Sequence, residues 1–484
     1  METRFSSDGY YRCVTSETYD LFQQVTPQDI EDSFSAKKKT GAVFVDLTAA
    51  YDTVWHRGLT CKLLRLLPDR HMVHMIMEMV GNRSFTLTTG NGQRSRLRRF
   101  KNGVPQGCVL APLLFNIYIS DLPTTISRKY IYAENLEIIH SDGDWQAVQE
   151  VLNKDTSTPV EYLQTSKLKL STTKTVSPVF HLNNKEAKRE LKLNFNNETQ
   201  PSRFETKYLG VTLDRSLTYR RHLESHGKKL ISRVAFLRRL ADSGWGAGAT
   251  TLRTATLDLV HSNAEYCALV WSRSPHTRLI DPAINDALQI VTGCLRSTPV
   301  DNLPILAGIK PAEIRRDGAT LSLTRRAIEP RHLLHSALTC PSSADAQRLK
   351  SRHPFVPAAQ HLISFSDNNS ICAAHWEDHQ WNEEWTDNPT RLRILIPDTG
   401  AHPLGMTLHR RAWVRLNRLR TGVGRFRSCL YKWGMAFSAA SECGAEEQTV
   451  DHVVLQCPIH RPPHGLHGLT VLDDEWLLNT CPEI

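Results

Sequence analysis

Tyr130-Ile131-Tyr132-Ala133-Glu134-Asn135-Leu136-Glu137 is a short Tyr/Ile strand, a polar tip and a returning strand that runs on through Ile138-Ile139. That is the pattern of a tight β-hairpin. Alone it would mean little, and its weight comes from two stretches upstream. In Val43-Phe44-Val45-Asp46-Leu47-Thr48-Ala49-Ala50-Tyr51-Asp52 an apolar run sets one acid at the end of a buried strand. A lone buried carboxylate is costly unless it is paired or binds a cation. In isolation Asp46 would be read as the cap of a helix beginning near Tyr51. The second stretch is Gly103-Val104-Pro105-Gln106-Gly107-Cys108-Val109-Leu110-Ala111-Pro112-Leu113-Leu114-Phe115, a Gly/Pro loop leading into an apolar helix. Two glycines flanking Pro-Gln suit a backbone that a flat ligand must approach closely, and Pro112 suits a first helical turn.

Order, spacing and residue types together resemble the reverse transcriptases of non-LTR retrotransposons, the jockey-like LINE group. In that family's terms Asp46 belongs to motif A, Gly103 to Phe115 to motif B, and Tyr132 to Asn135 to motif C. Leu168 to Thr175 is similar to motif D, and Lys207-Tyr208-Leu209-Gly210-Val211-Thr212-Leu213-Asp214 to the primer grip. The resemblance runs from about Gly41 to the C-terminus. It implies an α+β fold: a right-hand polymerase palm of antiparallel sheet plus helices, a helical thumb, and a helical, zinc-knuckle-like C-terminal extension. The expected divisions are 1–40 as a remnant of the fingers or disordered lead-in, 41–215 as palm, 216–339 as thumb and following helices, 340–402 as a polar linker with a short helix, and 403–484 as the C-terminal region.

The family's chemistry is RNA-directed DNA synthesis, with carboxylates on neighbouring strands clamping two Mg²⁺ ions ~4 Å apart. The family supplies one Asp in motif A and two adjacent Asp in motif C, which fall here on Asp46, Glu134 and Asn135. Glu134 keeps a charge, but its extra methylene displaces the oxygens by on the order of 1 Å, a misplacement that can cost ~100-fold. Asn135 is a neutral amide, and Mg²⁺ tolerates little distortion of its shell. Asp52 reads as part of a helical first turn and Asp142-Gly143-Asp144 as an ordinary turn, so neither is expected to rescue the site, nor is Glu137. The expectation is weak or absent polymerase activity; the alternative is a non-enzymatic nucleic-acid-binding remnant. By resemblance Tyr51 is the gate that excludes a ribose 2′-hydroxyl, Gln106 and Gly107 line the templating base pair, and Lys174 sits near the triphosphate as a cation or general acid. The implied partners are an RNA template, a DNA primer or RNA–DNA hybrid, and a deoxynucleoside triphosphate.

Charge agrees with a nucleic-acid partner. Lys and Arg number 59 against 50 Asp and Glu, a net +9 over 484 residues. Arg83 to Phe100 reads as a hairpin across Gly90-Asn91-Gly92 in which Arg94, Arg96 and Arg98 share a strand face. After the primer grip, Leu223, Leu230, Val234 and Leu237 recur at helical spacing, with Lys228, Lys229, Arg233, Arg238 and Arg239 on other faces. Such a basic helix can track phosphates. Helical periodicity continues over Thr251–Val270, Asp281–Thr292 and Pro311–His335. From Cys340 to about His402 the chain turns polar and Pro-rich, with Trp376, Trp381 and Trp385 spaced as a packed helix face.

Near the C-terminus Cys443, His452 and Cys457 have the spacing of a zinc knuckle. Structural Zn²⁺ takes four tetrahedral N/S ligands, and where the family has a further Cys this chain has Ser441. Cys429, His460 or water would complete the sphere; otherwise the segment is an unmetallated loop with free thiols. Eleven scattered cysteines suggest a reducing, intracellular compartment. No stretch approaches the ~18 apolar residues of a membrane span, and a soluble chain is expected. With 45 residues ahead of Asp46, the family's fingers and its usual apurinic-type endonuclease are expected to be missing, and self-sufficient retrotransposition is not expected.

Overall fold

The computed structural model describes residues 10–12, 16–186, 188–195, 198–199, 205–241, 246–339, 355–365, 373–387, 390–462, 465–470 and 477. The chain divides into two compact units, with the break between Tyr219 and Arg220.

The first unit is built on strands β1 (Tyr10–Arg12), β2 (Lys39–Thr48), β3 (Ser84–Phe85), β4 (Arg98–Arg99), β5 (Arg128–Tyr132), β6 (Asn135–Asp142), β7 (Lys169–Leu170), β8 (Val179–Phe180), β9 (Asn194–Phe195), β10 (Glu198–Thr199), β11 (Glu205–Tyr208) and β12 (Val211–Asp214). Its helices are α1 (Ser16–Ser35), α2 (Ala50–Thr53), α3 (His56–Leu66), α4 (Arg70–Gly81), α5 (Ala111–Tyr118) and α6 (Trp145–Thr165). The central sheet has the order β1-β5-β6-β2-β7, with β8 also paired to β2. Only β1 joins in parallel, to β5; the other pairings are antiparallel.

β2 is buried almost end to end, which explains its near-continuous apolar sequence: both faces of the sheet are covered. One face carries Val43, Val45, Leu136 and Ile138 into a core with Leu114, Phe115, Val148 and Leu152. Pro112 lies in the first turn of α5, and Phe115 is fully buried, a burial worth about 2–3 kcal/mol. Asp144 caps α6 by accepting from the Gln146 and Ala147 amides, so that turn is structural.

The other face is polar and buried. Side chains alternate across a strand, and Glu137 therefore shares this face with Asn135. Glu137 is fully buried and accepts from the Thr26 hydroxyl of α1. Beside it Tyr130 donates to Asp29 at 2.6 Å, and Asp29 pairs with Arg128. Within 1–40, expected as a fingers remnant or a disordered lead-in, α1 is an ordered helix that packs as part of this unit. Its buried side is made of Gln23, Gln24, Thr26 and Asp29 as well as Val25, Ile30 and Phe34, so apolar periodicity could not reveal it. Residues 1–9 and 13–15 lie outside the described residues.

The second unit is helical. The thumb-like helix α7 (Arg220–Leu240) buries Leu223, Leu230, Val234 and Leu237. Asp281–Thr292 is a helix with the bounds its sequence pattern gives. Thr251–Val270 is instead broken, by a π-helical turn at Leu257–His261 and by left-handed Cys267. The linker reading of 340–402 is also corrected. Helices Phe355–Phe365, Ala373–Thr386 and Arg391–Leu395 pack, burying Phe355, Ala359, Trp381, Trp385 and Leu392. The Ser/Pro content masked a sparse set of large apolar anchors. Trp376 is only half-buried, and residues 340–354 lie outside the described residues. Among the described residues no helix is long and apolar enough to cross a membrane.

Burial pushes the Glu137 carboxyl up from 4.5 to about 8, a rise that the Thr26 hydroxyl and then Tyr208 only partly offset. The folded protein therefore holds a proton at neutral pH that the unfolded chain releases. Stability should fall as pH rises from about 4.5 towards 8, by up to ~1.4 kcal/mol per unit, and level off above. Asp29 and Asp32, both raised mainly by burial, add slope of the same sign. Urea unfolding across that window should show a shallower slope for Glu137→Gln; an unchanged slope would mean that Glu137 is ionised in the fold.

Candidate active site

Eight consecutive pairs join β2 to β6, and the last sets Asp46 opposite Asn135. Directly opposed residues point to one face with Cβ atoms roughly 4.5–5.5 Å apart. Beyond that pair the Leu47 amide donates to the Glu134 carbonyl at 2.8 Å, which clamps the hairpin tip to β2. The hairpin closes through Ala133 and Glu134, with Tyr132 paired to Asn135 and Ala133 at φ +49°. Asp46 is half-buried, Glu134 exposed.

Motif D reaches the same carboxylate. The Ser171 amide donates to the Asp46 carbonyl at 2.9 Å, and the Lys174 ammonium lies 3.2 Å from Asp46 Oδ2. Lys174 is largely exposed, so the pair contributes little to stability, under ~1 kcal/mol. Its effect is local, a fixed cation on the acid. Asp46, Asn135 and Lys174 line one cavity of about 340 Å³ together with Thr173, Glu205 and Lys207. The sequence reading missed Glu205 as a site residue. The signal was the alternation along β11, which buries Thr206 and Tyr208 and exposes Glu205 and Lys207.

Residues around this cavity do not fit a cage for two Mg²⁺ ions. A cage needs several convergent carboxylate oxygens. Here an amide faces Asp46, a lysine lies on it, and the nearest motif C carboxylate sits on an exposed turn. Among the described residues, the one group of three or more His, Cys, Asp and Glu side chains close enough to share an ion is Cys443, His452 and Cys457.

Motif B divides into two halves, one pinned and one open. Gly103 is pinned: its amide donates to the Val54 carbonyl at 2.8 Å, and its carbonyl meets His56 Nε2 at 2.8 Å and accepts from Arg83 at 2.6 Å. It has φ +87°, and a Cβ there would lie 2.8 Å from the Asp52 carbonyl oxygen. Gly107, at φ +86°, has open space where a Cβ would be, and Gln106 beside it is exposed. The Tyr51 ring stacks on Phe115, centroids 5.1 Å apart, and the Tyr51 carbonyl accepts from Val104 at 2.8 Å.

The basic candidates behave differently from one another. Arg94, Arg96 and Arg98 are exposed on the β3–β4 hairpin. Between the Thr88–Arg94 bridge and the Phe85–Arg98 pair one arm carries an extra residue. A bulge of this kind breaks the alternation, so the shared strand face is corrected. Lys228 and Lys229 are exposed on α7. Arg233 is half-buried, and its guanidinium donates through Nη1 to the Leu259 carbonyl at 2.9 Å, inside the π-helical turn.

At the C-terminus the three predicted metal ligands converge. Cys443 Sγ lies 3.0 Å from His452 Nε2, and the three ligand atoms are within 4.8 Å of one another. The Ser441 hydroxyl is 3.2 Å from Cys443 Sγ. That contact, then the Ala445 amide and also His452, lowers the Cys443 thiol to about 6. His460 instead approaches Glu442, at 3.7 Å. Three donors fit the Cys/His side of a Zn²⁺ shell, and neither Cys429 nor His460 joins them.

A strand bearing an acid, a hairpin whose return strand opens opposite that acid, and a Gly-Val-Pro-Gln-Gly loop joined to the first motif define the palm of a right-hand nucleic-acid polymerase. The family model for reverse transcriptase (RNA-dependent DNA polymerase) matches residues 11–213, and over that span the chain is similar to polymerases of non-LTR retrotransposons. It is 30% identical over 281 residues to a probable RNA-directed DNA polymerase from transposon BS of Drosophila melanogaster, covering 55% of this chain and 30% of that protein. It is 32% identical over 204 residues to the RNA-directed DNA polymerase from mobile element jockey of Drosophila funebris, covering 40% and 22%. The chain thus spans less than a third of the length of these relatives. The apo telomerase of Candida tropicalis aligns at 12% identity with a TM-score of 0.33, over 77% of this chain and 57% of that one.

The two motif B glycines should separate in a stability measurement. Gly103→Ala combines left-handed strain with a backbone collision and should cost several kcal/mol in urea unfolding, whereas Gly107→Ala should cost only the ~1–2 kcal/mol of the strained φ. Equal losses would contradict the pinned-and-open division of the loop.

Proposed function

We propose that this domain binds an RNA template with a DNA primer, or an RNA–DNA hybrid, together with a deoxynucleoside triphosphate, and that nucleotide transfer in this chain is weak or absent. The supporting observation is the Asp46–Asn135 pair, which sets a neutral amide against the motif A acid, with Lys174 on that acid. Tyr51 gates the sugar, Gln106 and Gly107 contact the templating pair, and Lys174 serves the triphosphate as a cation. Arg94, Arg96, Arg98, Lys228 and Lys229 hold phosphates. The second reading, a non-enzymatic nucleic-acid-binding remnant, differs only in leaving no residual chemistry through Asp46 and Glu134.

Primer extension on a defined RNA template tests this against the Glu134→Asp, Asn135→Asp double variant. The double variant should extend at least ~100-fold faster. Comparable extension by the unaltered chain would refute the proposed loss. RNA affinity should fall steeply with salt, and Arg94→Ala with Arg96→Ala and Arg98→Ala should flatten the slope by about two units of log K per log salt. A slope unaffected by the three changes would remove the hairpin from the binding surface.

At Cys443, His452 and Cys457 the proposal is weak Zn²⁺ binding with three protein donors. Ser441→Cys supplies a thiolate in place of a hydroxyl that is a poor ligand, and chelator competition should show at least ~10-fold tighter Zn²⁺. No gain would mean that the segment is not a metal site.

A further inference from the structure

The second unit carries a clamped loop whose aromatic side chains face water. Tyr431 is 53% exposed, Trp433 41% and Met435 73%, and Phe437 is fully exposed. These side chains are not on a frayed end. Phe426 at the base is fully buried. The Arg427 amide donates to Gln448 Oε1 at 3.0 Å and the Ser428 hydroxyl to the Gln448 carbonyl at 2.8 Å. On the far side the Gln448 amide donates to the Ala439 carbonyl at 2.7 Å. One residue thus ties both ends of the projection. Inside it the helix Arg427–Lys432 ends with the Trp433 amide on the Cys429 carbonyl and the Met435 amide on Leu430, and Gly434 takes φ +72°.

A fixed loop that holds four large apolar side chains in water marks an interaction site. Charge selects the partner. No acidic residue occurs from Gly424 to Ser441. Arg425 and Lys432 are exposed on the same segment, while Arg427 pairs with Glu442 at 3.0 Å. Arg425 also lies near Arg418, whose pKa is lowered first by burial and then by that neighbour, so the field here already disfavours further cations. Glu442, Glu446 and Glu447 are exposed on the segment that leads to Gln448, and Glu442 is paired with Arg427; on the loop itself, flat rings interleaved with cations suit unstacked bases on a phosphate chain, because every base offers a π-face.

We propose that Tyr431, Trp433 and Phe437, with Arg425 and Lys432, form a stacking platform for single-stranded nucleic acid, separate from the polymerase cavity. It needs neither nucleotide transfer nor bound zinc.

The test uses the full chain and the fluorescence anisotropy of a labelled oligo-U and oligo-dT of about a dozen nucleotides, at about 0.5 M salt, where phosphate contacts are largely screened and stacking persists. Trp433→Ala with Phe437→Ala should lower affinity at least ~10-fold, while Trp433→Phe with Phe437→Trp should keep it within about threefold. A duplex of the same length should bind no better than the double alanine variant. Unchanged affinity in the double alanine variant, with its circular dichroism intact, overturns the platform. So does full affinity in Trp433→Leu with Phe437→Leu, which keeps apolar area but removes stacking. If the aromatic residues instead govern self-association in sedimentation, with no change in oligonucleotide affinity, the loop is a protein interface and the proposal fails.

Discussion

The first unit depends on the register between β2 and β6. Eight pairs from Lys39–Asp142 to Asp46–Asn135 decide which side chains enter the apolar core and which face the polar side of the sheet. Because side chains alternate with a period of two, a slip by one residue would drive Asp46 and Glu137 into the core and turn Val43 and Val45 out of it. The register is therefore held by burial on both faces. Val43, Val45, Leu136 and Ile138 pack on one side, and the Thr26–Glu137 and Asp29–Arg128–Tyr130 contacts lock α1 to the other. The geometry of Asp46 at the cavity is a by-product of that lock.

Such a lock places an acid of raised pKa two residues from the site. Glu137 and Asn135 share a face, yet Glu137 is sealed under α1 and Asn135 opens to the cavity. One strand thus spans a dry environment and a wet one within a rise of ~7 Å. Glu137 is therefore not placed to act at the cavity. To reach a cation Glu137 would have to be ionised, and its surroundings favour the neutral form. Glu205, arriving from β11, is the acid that does face the cavity.

What the sequence made legible follows from how local each signal is. The apolar run of β2, the hairpin at Ala133-Glu134, Pro112 in its helix and the helix Asp281–Thr292 all rest on short-range pattern, and all appear as read. What the pattern did not reveal depends on contacts distant in sequence. α1 hides a polar yet buried face, and Arg233 is taken up by the Leu259 carbonyl of a π-helical turn that no periodicity announces. The helices after residue 354 are held by a few large anchors such as Phe355, Trp381 and Trp385 set among polar residues. Of the candidate site, Asp46, Asn135 and Lys174 come together. Glu205 and Lys207 join them only through the tertiary course of β11.

The altered hairpin also bears on why the fold persists. Two carboxylates opposed across an antiparallel pair repel, and an active two-metal palm must carry that repulsion whenever its ions are absent. Replacing one of them with the Asn135 amide removes like-charge repulsion from the Asp46 pair, and the Lys174 ammonium then meets a single acid. A site relieved of mutual repulsion is easier to hold folded, in line with the usual opposition between an active centre's demands and stability. On the proposed reading, the Asn135 amide contributes both to the loss of chemistry and to retention of the palm. The β2–β6 register and the Gly103 loop are fixed by contacts in which the residue at position 135 supplies no carboxylate.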